Sequence, residues 1–157
     1  MKIKWKQLII AVLIPLVVGG VSALLTQGGM AVFDTLQKPP LSPPAWVFPV
    51  VWTVLYILMG TASYLVATAN TSRIDKDGAL TVYALQLAFN FLWSILFFNL
   101  EMYRFALVWL LLLLLLVIVT TVRFYRISKA AGILLIPYIV WLLIAAYLNF
   151  QIVLLNP

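Results

Sequence analysis

Five apolar runs separated by polar breaks organise the chain. They cover residues 8–25, 49–69, 79–100, 105–122 and 130–155, and none contains an Asp, Glu, Lys or Arg. Each reaches or approaches the ~20 residues with which an α-helix crosses the hydrocarbon core of a bilayer. In hydrocarbon every backbone amide needs a partner within the protein, and a helix supplies those partners inside one segment. The pattern therefore predicts an all-α fold, an integral membrane bundle of five transmembrane helices forming a single domain over residues 1–157. No internal repeat is evident. The long breaks are residues 26–48, an ordered proline-rich loop, and residues 70–78.

Composition strengthens this reading. The chain is 66% hydrophobic and 9% charged, with a mean hydropathy of +1.15. A soluble domain of this length has too little interior to hide so much apolar surface, so membrane lipid is the main solvent. The first run follows Lys2, Lys4 and Lys6, as the apolar core of a signal peptide would, but it is longer than such a core and no small-residue cleavage site follows. It is read as a retained span. Pro15 and the Gly19-Gly20 pair within it suit a mild kink or a close helix contact. Leu110–Leu116 in the fourth run reads as a lipid-facing or packing surface.

Charge sets the orientation. With five crossings, Lys2, Lys4, Lys6, Arg73, Lys76, Arg123, Arg126 and Lys129 share one side, and only Lys38 and Arg104 lie on the other. Basic residues favour the cytoplasmic side, so the N-terminus is expected there and the proline-rich loop outside. The net charge of +6 then reflects topology and lipid headgroups, not nucleic acid. The chain has no cysteine and no histidine, and its only carboxylates are Asp34, Asp75, Asp77 and Glu101. Disulfides and thiolate metal sites are excluded, and the commonest metal ligand and general base is missing. No metal site and no cofactor are expected.

A membrane bundle needs only apolar residues to insert, yet this one carries tryptophans, amides and a proline loop. Pro39, Pro40, Pro43 and Pro44 fix their own φ angles and push the preceding residues toward extended backbone. The segment is either a stiff lid over the bundle or an interfacial connector anchored by Trp46. In the third span, Gln86, Asn90 and Trp93 share one helical face, which Phe97 continues. Asn90 lies mid-span, where an amide facing lipid costs several kcal/mol, so it turns inward to a ligand or to an interhelical hydrogen bond. Ala84 and Ala88 lie roughly 200° round the same helix, a small-residue face suited to a homodimer contact. Trp52 and Tyr56 are four apart on the second span. Tyr138, Trp141, Ala145 and Asn149 form a stripe on the fifth, just after Pro137, which can kink that helix. Indole rings backed by amides and phenols match a small-molecule site.

These landmarks, in order, are Lys38-Pro39-Pro40 with Pro43-Pro44, Val51-Trp52 with Leu55-Tyr56, Gln86-Leu87 with Asn90 and Trp93, Phe97-Phe98, and Pro137-Tyr138 with Trp141, Ala145 and Leu148-Asn149. The chain thereby resembles, over nearly its whole length, the tryptophan-rich sensory protein or translocator protein family, also called the peripheral-type benzodiazepine receptor family. The resemblance implies five helices with a first loop covering a pocket that takes porphyrins and isoquinoline- or benzodiazepine-type ligands. By position it implies ligand contacts at Trp52, Asn90, Trp141 and Ala145, with Trp46, Tyr56, Trp93, Tyr138 and Leu148 as neighbours. It also implies a bacterial plasma membrane location and a part in tetrapyrrole regulation or stress response. Three departures stand out. Leu41 replaces an aromatic common in relatives, and Trp109 replaces an acid. No Lys or Arg follows Tyr147, so the sterol pattern proposed for animal relatives is missing there. Val122, Tyr125 and Lys129 fit that pattern elsewhere.

Binding is the first functional expectation, since a porphyrin gains roughly 25 cal/mol per Å² of apolar surface removed from water. With no His or Cys to ligate haem iron, the ligand expected is a metal-free porphyrin, or haem held without His or Cys ligation. The resemblance also implies a rival, light- or oxygen-dependent porphyrin degradation with Trp52 and Trp141 as participants. The acids fall in loops and at span ends, so ordinary acid–base catalysis is not expected. Ion-coupled transport is disfavoured by the absence of charge within the spans, which leaves uncoupled facilitation as the transport alternative.

Overall fold

The computed structural model describes residues 2–157, the Met30 side chain excepted. Its regular structure among those residues is helical throughout, with no strands: α1 (Trp5–Leu25), α2 (Gln27–Asp34), α3 (Val47–Ala67), α4 (Arg73–Ser94), a π-helical extension (Ile95–Asn99), α5 (Tyr103–Ile127), α6 (Lys129–Leu134) and α7 (Ile136–Leu155). Five spans, with α4 continuing into the π segment and α6 into α7, are long and apolar enough to cross a membrane. Neighbours around the bundle run α1, α3, α6–α7, α5, α4 and back to α1.

The helices outrun the apolar runs at several ends, because polar residues can complete a helix outside hydrocarbon. Ser72 caps α4 by accepting from the Asp75 amide at 3.1 Å, and Asp75 itself suits the positive end of that helix. The third span thus begins at Arg73, not residue 79. The fourth continues past residue 122 through Arg123 and Arg126, cations placed at its negative C-terminal end. The fifth is broken at Leu135 into α6 and α7. Pro137 accounts for the break: it has no N–H to donate, and its ring crowds the carbonyl of Ile133.

Close backbone contact sets the first helix pair. A Cβ on Gly60 of α3 would lie 2.6 Å from the Cα of Val12 and 2.7 Å from the carbonyl oxygen of Ala11. Only glycine lets α1 and α3 approach this far. Hydrogen bonds mark the two ends of the bundle. The Lys4 amide donates to the Tyr64 hydroxyl at 2.8 Å, and the Asn99 amide donates to the Leu25 carbonyl at 2.9 Å.

The long first loop contains the helix α2, which its proline pattern did not announce. Gly29 lies against the backbone carbonyl of Phe98. The Phe33 ring packs on Phe97 and Phe98, with centroids 5.8 and 5.5 Å away. Beyond α2 the chain is clipped to the end of α7: the Gln37 amide donates to Asn156 Oδ1 at 3.1 Å, and Asn156 Nδ2 donates back to the Gln37 carbonyl at 3.0 Å. Residues 38–46 then form a non-helical strap leading into α3. Its turns close on themselves, through Ser42 to the Pro39 carbonyl at 3.1 Å and Val47 to the Pro44 carbonyl at 3.0 Å.

Candidate functional site

Polar groups from three spans meet inside the bundle. On α4, Gln86 and Asn90 are buried to 1% and 2% exposure, one turn apart on the inward face. Asn90 Nδ2 donates to the Tyr138 hydroxyl of α7 at 2.7 Å. That hydroxyl donates to Gln86 Oε1 at 2.7 Å. The Tyr56 hydroxyl of α3 donates to Asn90 Oδ1 at 3.0 Å. Gln86 Nε2 turns toward Met59 Sδ at 3.9 Å. The network fixes the relative rotation of three helices, because each amide and phenol has its partner on a different segment.

Aromatic rings cap this network. Trp52 stacks on Tyr56 at 5.6 Å and 27°. It presents an edge to Tyr138 at 6.2 Å and stands perpendicular to Trp141 at 6.4 Å. Phe48, one turn before Trp52, packs edge-on against Trp141 at 5.7 Å. These offset and T-shaped arrangements are the favoured geometries for aromatic pairs. Two polar atoms in the interior stand out: Trp141 Nε1 and the Tyr83 hydroxyl are both buried with no hydrogen-bond partner. An orphaned donor of this kind costs about 1–3 kcal/mol. The cluster contains no charged side chain, and among the described residues no group of three or more His, Cys, Asp or Glu is placed to hold a metal.

Of the residues singled out in the sequence, Trp52, Tyr56, Asn90, Tyr138 and Trp141 come together here, with Ala145 buried one turn further along α7. Trp93 belongs to an adjoining cluster. Its Nε1 donates to Asn149 Oδ1 at 3.2 Å, Asn149 Nδ2 donates to the Tyr103 carbonyl at 3.0 Å, and its ring stacks on Phe97 at 5.3 Å. Leu148 is half-buried at the edge of the bundle. Trp46 stands apart, 67% exposed, as an interfacial anchor would. Ala84 and Ala88 are exposed on the outward face of α4. Trp109 stacks on Phe89 at 4.2 Å and donates to its carbonyl at 2.9 Å.

The inward rings pack on one another, and two hollows lie at the bundle surface. One, of about 380 Å³, is lined by Glu101, Arg104, Phe105 and Val153 among others. Another, of about 370 Å³, lies between Leu41 of the strap and Leu143, Ile144, Tyr147 and Leu148 of α7. Sequence reasoning did not single out Phe48, Met59 or Tyr83. Helical spacing carried the signal: Phe48 is four before Trp52, Met59 three after Tyr56, and Tyr83 three before Gln86.

Known proteins share this architecture's sequence. The chain is 39% identical over 125 residues to the tryptophan-rich protein TspO of Chlorobaculum tepidum, covering 80% of this chain and 79% of that protein. It is 38% identical over 151 residues to the tryptophan-rich protein TspO of Archaeoglobus fulgidus, covering 96% and 97%. It is 36% identical over 142 residues to the translocator protein of Bos taurus, covering 88% and 83%. Residues 11–155 match the TspO/MBR family, and with five membrane-length helices in place this chain is an integral membrane protein belonging to that family.

Proposed function

We propose that the chain is a membrane receptor or carrier for tetrapyrroles, binding a flat, largely apolar porphyrin among Trp52, Tyr56, Asn90, Tyr138, Trp141 and Ala145, with Trp93 and Leu148 at its margins. Isoquinoline- and benzodiazepine-type ligands suit the same lining. The observation that carries the reading is the buried Trp141 indole N–H without an acceptor, beside aromatic faces and an amide. A ligand bringing an acceptor there satisfies the donor, and stacking on Trp52 adds about 0.5–1.5 kcal/mol. Because the rings close on each other, occupancy requires Trp52 and Phe48 to rotate aside. A role in tetrapyrrole regulation or stress response follows from such binding.

The basic residues support a plasma membrane orientation with the N-terminus in the cytoplasm, as a bacterial member would have. Outward-facing Ala84 and Ala88 support a homodimer through α4. The test is a titration of detergent-purified protein with protoporphyrin IX, followed by tryptophan quenching. Saturable quenching with an unchanged porphyrin spectrum is expected. No saturable binding contradicts the reading, and steady loss of the porphyrin spectrum favours degradation.

A further inference from the structure

The surface hollow beside Glu101 lies between the start of α5 and the end of α7, at the bundle end opposite the N-terminus. Glu101, Met102, Arg104, Phe105, Val153 and Asn156 stand in its wall. Its volume of about 380 Å³ falls in the range of small-molecule sites. The walls are pinned. Asn149 Nδ2 of α7 donates to the Tyr103 carbonyl at 3.0 Å, and the Tyr103 ring packs edge-on against Phe97 at 4.9 Å. Asn156 commits its side chain to Gln37 and to the Ile152 carbonyl, so it does not neutralise the charges beside it.

Glu101 and Arg104 bring opposite charges to this one space. Glu101 takes a φ of 53°, a left-handed conformation that turns the chain out of the π segment toward α5. With that turn between them the two side chains do not meet. Among the described residues the ion pair is Arg73 with Asp77, at 3.6 Å. A carboxylate and a guanidinium that line one hollow without pairing leave room for a ligand carrying both complementary charges.

Position narrows the ligand further. The hollow sits where one membrane-length span begins and another ends, the level of lipid headgroups. Beside the charges, Met102 and Phe105 expose apolar surface and Val153 adds to it from α7, so an acyl chain has a surface to follow into the bilayer. From this geometry we infer that the hollow binds the zwitterion phosphoethanolamine, presented as the headgroup of phosphatidylethanolamine. The Arg104 guanidinium grips the phosphate with its planar fork. The Glu101 carboxylate accepts hydrogen bonds from the primary ammonium. Phosphatidylcholine meets the same Arg104, but its quaternary ammonium has no N–H for Glu101. Phosphatidylglycerol offers no cation at all. The hollow shares no lining residue with the Trp52–Trp141 cluster, and the inference stands independently of the porphyrin reading.

Native mass spectrometry of the full chain, released from mixed micelles holding equal amounts of the three lipids, tests this. Wild-type protein is expected to retain phosphatidylethanolamine about tenfold over either other lipid, the equivalent of one charge-assisted hydrogen bond. Glu101→Gln is expected to keep phosphate binding and lose the choice, retaining phosphatidylethanolamine and phosphatidylcholine equally. Arg104→Gln is expected to lose both lipids at least fivefold. Both side chains are exposed, so each variant should keep the wild-type circular dichroism and unfolding midpoint in lipid-free detergent. Excess free phosphoethanolamine separates the two sources of this chemistry: displacement of the lipid makes the headgroup alone sufficient, and failure to displace it assigns the site to the membrane lipid with its acyl chains. Equal retention of the three lipids by wild-type protein, or a preference that survives in both variants, overturns the inference.

Discussion

Asn90 of α4 and Tyr138 of α7 are joined by a 2.7 Å hydrogen bond between their buried side chains, although 48 residues separate them. The same phenol donates to Gln86, and the same amide accepts from Tyr56. One pair therefore ties three spans. Interhelical bonds of this type average ~0.6 kcal/mol in membranes, but removing a central member leaves its neighbours unpaired. Tyr138→Phe is expected to lower stability by about 1–3 kcal/mol, since Asn90 Nδ2 and Gln86 Oε1 lose their partner together. Thermal unfolding in detergent measures this, and an unchanged midpoint would remove the network as a stabilising element.

Trp141 carries an opposite expectation. Trp141→Phe removes an N–H that has no acceptor, so no intramolecular hydrogen bond is lost with it. Stability should stay within about 1 kcal/mol of wild type, because the ring contact with Trp52 is largely kept. Porphyrin affinity should fall about tenfold, the equivalent of 1.4 kcal/mol for one ligand hydrogen bond. Equal affinity in the two proteins would assign the orphaned donor no part in binding.

Gly60→Val tests the packing of α1 on α3. A side chain there meets the Val12 and Ala11 backbone, which has no rotamer to yield. Overpacking of this kind costs about 1–3 kcal/mol. Faster trypsin cleavage after Lys2, Lys4 or Lys6 should accompany the loss, as α1 loosens from its neighbour. Gly20, with open space around it, should accept alanine without effect.

Ala84→Leu with Ala88→Leu alters only the outward face of α4 and should leave porphyrin affinity unchanged. If two copies meet along that face, cross-linked dimer in native membranes should drop at least fivefold. Undiminished cross-linking would place the contact between copies elsewhere or nowhere.

The spans were legible in the sequence because uncharged length alone defines them; their ends were not, because Ser72 caps α4, α5 runs on through Arg123 and Ser128 caps α6 by accepting from the Ala131 amide at 3.4 Å, none of which hydropathy registers. Proline chemistry foretold the strap and the break before α7. It did not foretell α2, whose GGMAV core lacks a helix signature and is held by docking Gly29 and Phe33 on the π-helical segment that follows α4. The π segment was equally hidden, being a tertiary adjustment that lets Leu100 bond back to Ile95 at 3.0 Å. For the candidate site, periodicity brought Trp52, Tyr56, Asn90, Tyr138 and Trp141 to inward faces. It could not separate Trp93 from them, because a helical face says nothing of which neighbour it meets. Trp46 lies outside any helical stripe, and its exposure could be read only in three dimensions.

Two-dimensional ¹H–¹⁵N spectra of the indole side chains test the central claim most directly, since the chain has only six tryptophans and each can be assigned by substitution with phenylalanine. During titration with protoporphyrin IX, the Trp141 and Trp52 indole resonances should shift saturably while Trp46 and Trp5 hold their positions. Saturable binding that moves Trp46 or Trp5 and leaves Trp141 untouched would contradict a site inside the bundle.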